Sequence, residues 1–281
     1  MQILNVEHLT KYYPSFTLDD VCFSMEQGSI MGLIGRNGAG KSTTLKSMIN
    51  FVHPDTGSVC FFGLPFLKYE NDIKERIGFV AGGMNQYIKK PIGLISRVAS
   101  RFYANWDAGA YRGFLERFQL DERKTPSMLS DGMKVKYSLT LALSHHAELL
   151  ILDEPTSGLD PVSREEILDL FLSLSREGVG ILFSTHITSD LEKCADGITY
   201  IRNGRVAVSE PLSRFIGRYR LLHFSEEQAD PALLKGLIGC KRTKQGYSAL
   251  LETRAPAGEA PEGRPATLDE IMIHLEQEAK R

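Results

Sequence analysis

Gly35-Arg36-Asn37-Gly38-Ala39-Gly40-Lys41-Ser42 decides how this chain is read. It matches G-x-x-x-x-G-K-[ST], a pattern that a chain of this length would show by chance on the order of once in a hundred. The flanks sharpen the match. Ser29-Ile30-Met31-Gly32-Leu33-Ile34 before it is a short apolar run, and a helical pattern opens from Lys41 after it. Each residue type has a task. Glycines let backbone N–H groups turn inward and cradle phosphates without a Cβ in the way. The following helix aims its positive N-terminus at the same anion. Gly35, Asn37, Gly38, Ala39, Gly40 and Thr43 are therefore candidate nucleotide contacts. Lys41 supplies a mobile charge for the β- and γ-phosphates, and the Ser42 hydroxyl is a candidate Mg²⁺ ligand.

Outward from the loop, apolar runs alternate with helical patterns. Leu149–Leu152 and Gly180–Phe183 read as buried strands like the run before the loop. Such unbroken apolar stretches are what parallel strands covered on both faces look like. Ile167, Leu168, Leu170, Phe171 and Leu174 form one helical face, with Ser163 and Glu166 spaced as a capping box at its start. Tyr111, Phe114, Leu115 and Phe118 form another. From about 86 to 146 the signal is helical throughout, which predicts a helical subdomain inserted into an α/β core. Beyond about 211 the character changes. Residues 252–267 are rich in Ala, Gly and Pro and read as a linker, and Leu268, Ile271, Met272 and Leu275 form a last helix with Thr267 and Glu270 as its capping box. The expected division is 1–210 for the main domain and 211–281 for a small C-terminal extension.

Composition narrows the classes. Lys plus Arg is 33 and Asp plus Glu is 35, a net charge of -2. A nucleic-acid binder would show a basic excess, so none is expected as a partner. No apolar run approaches the roughly 18 residues that span a bilayer, and the first residues lack the basic and apolar segments of a signal peptide. Cys22, Cys60, Cys194 and Cys240 are far apart, form no C-x-x-C, and fit a reducing compartment. Their spacing argues against a metal site. His145-His146 reads as a surface turn and Lys89-Lys90 as a solvated loop.

The later motifs separate the phosphate-loop classes. Leu149–Leu152 ends in Asp153-Glu154, two carboxylates suited to holding Mg²⁺ and to orienting an attacking water. Leu129-Ser130-Asp131-Gly132-Met133 precedes them and resembles the signature loop of ABC ATPases, usually written L-S-G-G-Q. Asp153-Glu154-Pro155-Thr156-Ser157-Gly158-Leu159-Asp160-Pro161 resembles that family's Walker B and D-loop, and Ser184-Thr185-His186 its switch histidine. Tyr13, in Tyr12-Tyr13, resembles the aromatic that stacks on adenine. The resemblance covers residues 1 to about 210, and five motifs in order are far more specific than any one.

The resemblance implies an α/β P-loop core with an antiparallel N-terminal β portion, and ATP hydrolysis with Mg²⁺ as cofactor. It implies Asp153 and Ser42 at the metal, Glu154 as catalytic carboxylate and His186 on the γ-phosphate. It further implies a head-to-tail homodimer or heterodimer of ATPase subunits. There Ser130, the Gly132 N–H and Asp160 serve the nucleotide across the interface. A separate membrane-spanning ABC transporter subunit would anchor the chain on the inner face of the cell membrane. The motif set is most similar to ABC-2-type exporter ATPases. The rival is an ABC ATPase with no transport role, whose repair and translation members carry long coiled-coil insertions or two cassettes; neither is present. Two positions depart from the pattern. Asp131 stands where the signature usually has glycine, and is expected to cap the helix that begins near Lys134. The Q-loop glutamine falls on Gly82, with Gln86 nearby. That substitution predicts slow hydrolysis by this subunit alone, or pairing with a different ATPase.

Overall fold

A computed structural model describes residues 1–81, 87–225, 236–244, 246–253 and 263–278. The Q-loop position Gly82, and Gln86, lie outside the described residues. The chain divides into two units, Met1–Ser209 and Glu210–Arg281.

The first unit is built on a six-stranded sheet. In space the strands run Arg205–Pro211, Gly197–Arg202, Ile30–Ile34, Gly180–Thr185, Leu149–Asp153 and Ile77–Val80. The four pairings among the last five strands are parallel. Every residue of Leu149–Asp153 and of Gly180–Thr185 is buried, which is why their sequences carry no polar alternation. Each such leucine or isoleucine removed from water is worth roughly 1.5–3 kcal/mol. Their hydrophobicity therefore selects the centre of the sheet. Register then sets the functional edge. Ile34 pairs with Thr185 and Asp153 with Ser184, so Gly35, Glu154 and His186 all leave the sheet at the carboxyl ends of neighbouring strands. Open parallel sheets bind ligands at that edge.

A second sheet is antiparallel, in the order Phe16–Glu26, Gln2–Tyr13, Thr56–Phe61, Leu64–Pro65. Its buried Leu4, Val6, Leu9, Val21 and Phe61 join the core with Leu45 and Met48 from the helix after the phosphate loop.

The helical part holds Ile92–Ala99, Ala108–Arg117 and Asp131–Leu143. Ile92, Tyr111, Leu115, Leu120, Leu129 and Tyr137 form its core, with Trp106 packed against them. A polar knot sits inside. The Tyr111 hydroxyl donates to Ser96 Oγ at 2.8 Å and lies 3.0 Å from Glu122 Oε1, and the Tyr137 hydroxyl donates to the Ile92 carbonyl at 2.9 Å. Burial pushes the Tyr111 hydroxyl up to about 12 and raises Tyr137 as well, so both stay neutral donors.

Three local expectations are corrected. The helix Pro161–Arg176 is capped by Asp160, whose Oδ1 accepts from the N–H groups of Val162 and Ser163. Asp160 comes first and Pro161 prefers the opening helical position, so the Ser163/Glu166 box does not form and Glu166 pairs with Lys136 at 2.5 Å. The signature helix starts at Asp131, with Ser130 as its cap: Ser130 Oγ accepts from Met133 N at 3.2 Å. Asp131 instead pairs with Lys134 at 2.7 Å. His145 is not on a surface turn. Its ring is 2% exposed and stacks on Tyr103, centroids 3.8 Å apart. Only His146 is exposed, at a positive φ of 57°. Lys89 and Lys90 are exposed.

The second unit is a four-stranded sheet, Leu237–Thr243, Gly246–Glu252, Tyr219–Phe224 and Arg264–Pro265 in spatial order, with the helix Leu268–Glu278 packed on it. Arg264 pairs with Leu221 at the sheet edge, so the expected linker 252–267 begins on a strand end and returns to the sheet before it closes. The capping box forms. Thr267 N donates to Glu270 Oε2 at 3.0 Å and Glu270 N to Thr267 Oγ1 at 3.3 Å.

Candidate functional site

The phosphate loop links the buried strand Ile30–Ile34 to the helix Lys41–Met48. Two of its glycines are required for different reasons. At Gly35 a Cβ would lie 2.3 Å from the Ile201 carbonyl oxygen, so the loop packs too closely for any side chain. At Gly38 nothing stands within 4 Å, and it is the φ of +80° that demands glycine. Lys41 is 5% exposed. Its Nζ donates to the Gly35 carbonyl at 2.8 Å and the Arg36 carbonyl at 3.3 Å, and lies 3.8 Å from Glu154 Oε1. Burial pushes the ammonium down from its ordinary value, while Glu154 and Asp153 pull it back up. Desolvation wins, which leaves an ammonium with few solvent partners at the mouth of the loop.

The carboxylates come from the next strands. Ser42 Oγ donates to Asp153 Oδ1 at 2.9 Å, and Ser184 Oγ donates to the same oxygen at 2.7 Å. A hydroxyl and a carboxylate are oxygen ligands suited to a hard divalent cation, and Ser42 with Asp153 is such a pair. Ser184 also accepts from the Glu154 N–H at 2.9 Å. Glu154 itself holds a left-handed φ of 51°, a conformation that costs on the order of 1–3 kcal/mol in a non-glycine residue and persists only where neighbours enforce it. Here the Glu154 N–H, shared between the Ser184 hydroxyl and the Ser184 carbonyl at 3.2 Å, helps to hold it. His186 Nδ1 lies 3.2 Å from Glu154 Oε2. Glu154 thus stands between Lys41 and His186, half-buried. Below it, the Thr156 hydroxyl donates to Asp190 Oδ2 at 2.7 Å, both fully buried, which ties the turn after Glu154 to the helix Thr188–Cys194.

The remaining sequence candidates divide into two groups. Tyr13 pairs with Phe16 across the first hairpin, their rings 6.5 Å apart. Phe16 in turn approaches Gly40, where a Cβ would meet its ring at 2.9 Å. Tyr13 therefore borders the phosphate loop. Ser130, Gly132 and Asp160 belong to the second group. Ser130 and Asp160 bond to the first turns of their own helices, and Gly132 is buried against Ser163, where a Cβ would stand 3.1 Å from the serine side chain. No hydrogen bond among the described residues joins this group to Lys41, Ser42 or Asp153. Sequence reasoning quoted Ser184 and Thr156 within motifs but gave them no role, and passed over Asp190 and Phe16. Ser184 had a readable signal, as a hydroxyl closing an otherwise apolar strand. The other three are recognisable only by the contacts they make.

A buried lysine over a glycine loop, a carboxylate pair and a histidine at adjoining strand ends define a nucleoside-triphosphate site on a parallel sheet. The model for the ABC transporter family matches residues 18–157. The bacitracin transport ATP-binding protein BcrA of Bacillus licheniformis is 33% identical over 222 residues, covering 78% of this chain and 72% of that protein. A fluoroquinolones export ATP-binding protein of Mycobacterium tuberculosis is 29% identical, covering 98% of this chain and 93% of its own length. Among solved structures, an ATP-binding subunit of an ABC transporter superposes with a TM-score of 0.68 at 29% identity, over 75% of this chain and 91% of that one. The chain belongs to the ATP-binding subunits of ABC transporters and is an ATP-binding ATPase. Among the described residues, no helix is long and apolar enough to cross a membrane.

Proposed function

We propose that this chain is the motor of an exporter: it binds and hydrolyses ATP at the edge of its parallel sheet and drives a separate membrane-spanning subunit from the cytoplasmic face. The observation that carries the reading is the position of Glu154, held in a left-handed turn between the Lys41 ammonium and the His186 ring.

In this reading the residues take the following roles. Backbone N–H groups of Gly35, Asn37, Gly38, Ala39 and Gly40, with Ser42 and Thr43 at the helix start, receive the phosphates. Lys41 exchanges its bonds to the Gly35 and Arg36 carbonyls for phosphate oxygens. The Tyr13 ring lies against the adenine. Ser42 and Asp153 hold Mg²⁺, which when bound neutralises charge on the β- and γ-phosphates. Glu154 orients a water in line with the γ-phosphate and takes its proton, and His186 contacts the γ-phosphate. Ser130, Gly132 and Asp160 have no part in this constellation within one chain, so they act on the nucleotide of a second ATPase subunit, a copy of this chain or a related one. ATP then holds two subunits together and hydrolysis releases them.

The membrane partner has a fitting surface. An apolar groove of about 500 Å³ is lined by Tyr87, Leu94, Ile95, Val98, Phe102 and Tyr103. Phe102 is 74% exposed, and contiguous exposed apolar surface marks interaction sites. Three aromatics lie close in sequence here: Phe102 and Tyr103 line the groove, while Trp106 is packed in the helical core. The fluoroquinolones export name of one relative supports export, and with the bacitracin transport name of another it supports a drug, peptide or lipid-like cargo.

The test is ATP hydrolysis by the purified chain beside Glu154→Gln, with sizing in ATP and Mg²⁺. The variant is expected to lose about 10²–10⁴-fold in rate and to dimerise when ATP is present. Equal rates in the two proteins would remove Glu154 from the mechanism.

A further inference from the structure

The first hairpin carries a group of side chains that the nucleotide site does not use. It pairs Gln2–Tyr13 with Phe16–Glu26, and its register slips three times, once near the start between Gln2 and Leu4 and twice further along. Val6 faces Phe23 and Leu9 faces Val21, so Glu7 and His8 stand opposite Cys22 alone. Leu9 faces Val21 and Lys11 faces Leu18, so Thr10 stands opposite both Asp19 and Asp20. These are two β-bulges, one in each strand. Each places a left-handed residue at the slip, His8 at φ 53° and Asp20 at φ 54°. Bulges re-aim side chains that strict alternation would separate. Buried Thr10 clamps both, its hydroxyl donating to the His8 carbonyl at 3.3 Å and accepting from Asp20 N at 3.1 Å.

The consequence is a convergent set of three different donors. His8 Nδ1 lies 2.6 Å from Asp20 Oδ1. Cys22 Sγ lies 3.8 Å from His8 Nδ1 and 3.9 Å from Asp20 Oδ1. One ligand atom from each residue lies within 4.8 Å of the other two. Ligand atoms around a tetrahedral zinc ion stand about 3.3–3.6 Å apart, given bonds of about 2.0–2.3 Å. The observed triangle needs only the His8–Asp20 pair to widen by less than an ångström or so on that same scale. His8 and Asp20 are exposed and Cys22 is half-buried, so an ion can reach them directly. The sequence spacing gave no hint because the bulges, not the spacing, bring these three together.

We propose that His8, Asp20 and Cys22 form a surface site for a thiophilic divalent cation, Zn²⁺ first, with the fourth position open to solvent. A thiolate and an imidazole select zinc or cobalt over Mg²⁺ and Ca²⁺, which take oxygen ligands. On binding, the Cys22 S–H bond breaks, its proton passes to water and a metal–sulfur bond forms. The ion clips the two strands together at their bulges, on the hairpin that presents Tyr13 and Phe16 beside the phosphate loop.

The test is Co²⁺ titration of the reduced, nucleotide-free full chain, read by visible absorption and by the near-ultraviolet thiolate-to-cobalt band. One equivalent is expected to bind with that band present, and Zn²⁺ should displace it. Cys22→Ser should abolish the band. His8→Gln and Asp20→Asn should each weaken binding by more than about tenfold, while Cys60→Ser and Cys240→Ser should leave it unchanged. Circular dichroism of each variant confirms the fold, and Zn²⁺ should raise the melting temperature of the parent but not of Cys22→Ser. No thiolate band in the parent, or a band that survives Cys22→Ser, overturns the proposal.

Discussion

Two motif regions of this chain are built to different degrees of completion. Around Asp153 and Glu154 the contacts close within one chain. Ser42 and Ser184 share Asp153 Oδ1, Ser184 holds the Glu154 N–H, and Lys41 and His186 flank the Glu154 carboxylate. Around Ser130 and Gly132 they do not. Ser130 is exposed and bonds only to its own helix, and Asp131 points to Lys134. A helix N-terminus with Ser130 and Asp131 exposed has little structural purpose in a lone subunit, and much in one that meets a phosphate on another. On the proposed function, the first region is a finished half of a catalytic site and the second is a half meant for a neighbour.

The sharpest way to break that comparison is a mixing experiment. Lys41→Ala disables the finished half and Ser130→Ala the outward one, so each variant alone is expected to hydrolyse ATP more than about tenfold slower. In a mixed dimer one composite site carries both lesions and the other carries neither. Mixing should therefore restore hydrolysis well above the average of the two variants. A mixture that merely averages them would mean that each site lies within one chain.

A second prediction sharpens the finished half. Ser184→Ala removes a donor to Asp153 and the acceptor that keeps Glu154 in its left-handed turn. Outer groups of this kind are worth about 10–100-fold, so steady-state kinetics should show kcat falling by about that factor, with the apparent Mg²⁺ requirement rising. An unchanged kcat would make Ser184 a packing residue.

The smallest effect belongs to the second unit, as a control on an ion pair that neither motif region contains. The Arg264 guanidinium, followed by the Thr267 N–H, holds the Glu270 carboxyl down at about 2, from an ordinary 4.5. The sign is that of a depressed carboxylate. The stabilisation is full above the unfolded value and disappears as pH falls through about 2. Arg264 is half exposed, so screening keeps the contribution below about 1 kcal/mol. Glu270→Gln should be slightly less stable than the parent in urea at pH 6, with the gap closing between pH 4.5 and 2, and hydrolysis should be untouched.

Much of the first unit was legible because its signals are local. The phosphate loop, the apolar strand ending in Asp153-Glu154, and the helical stretch with Tyr111 and Leu115 each depend on residues close in sequence. The misreadings came where two local solutions compete. Ser163 was a plausible cap until Asp160 and Pro161 took the helix start, and Asp131 was a plausible cap until Ser130 did. The strands Tyr219–Phe224, Leu237–Thr243 and Gly246–Glu252 gave no sequence signal strong enough to name, since their burial alternates with exposure and depends on one another.

By itself the sequence determined the class of protein, the loop that receives the phosphates and the residues able to do the chemistry, because glycine conformations, a lysine and paired carboxylates are properties of residue types at short spacing. Tertiary structure alone decided which hydroxyl orients Asp153, that His145 is buried against Tyr103, and that His8, Asp20 and Cys22 converge on one face. The first and last of these depend on register, whereas His145 and Tyr103 lie outside the strands and meet through packing. A parallel pairing or a β-bulge sets which side chains meet, and a shift of one residue would turn each of them to the opposite face.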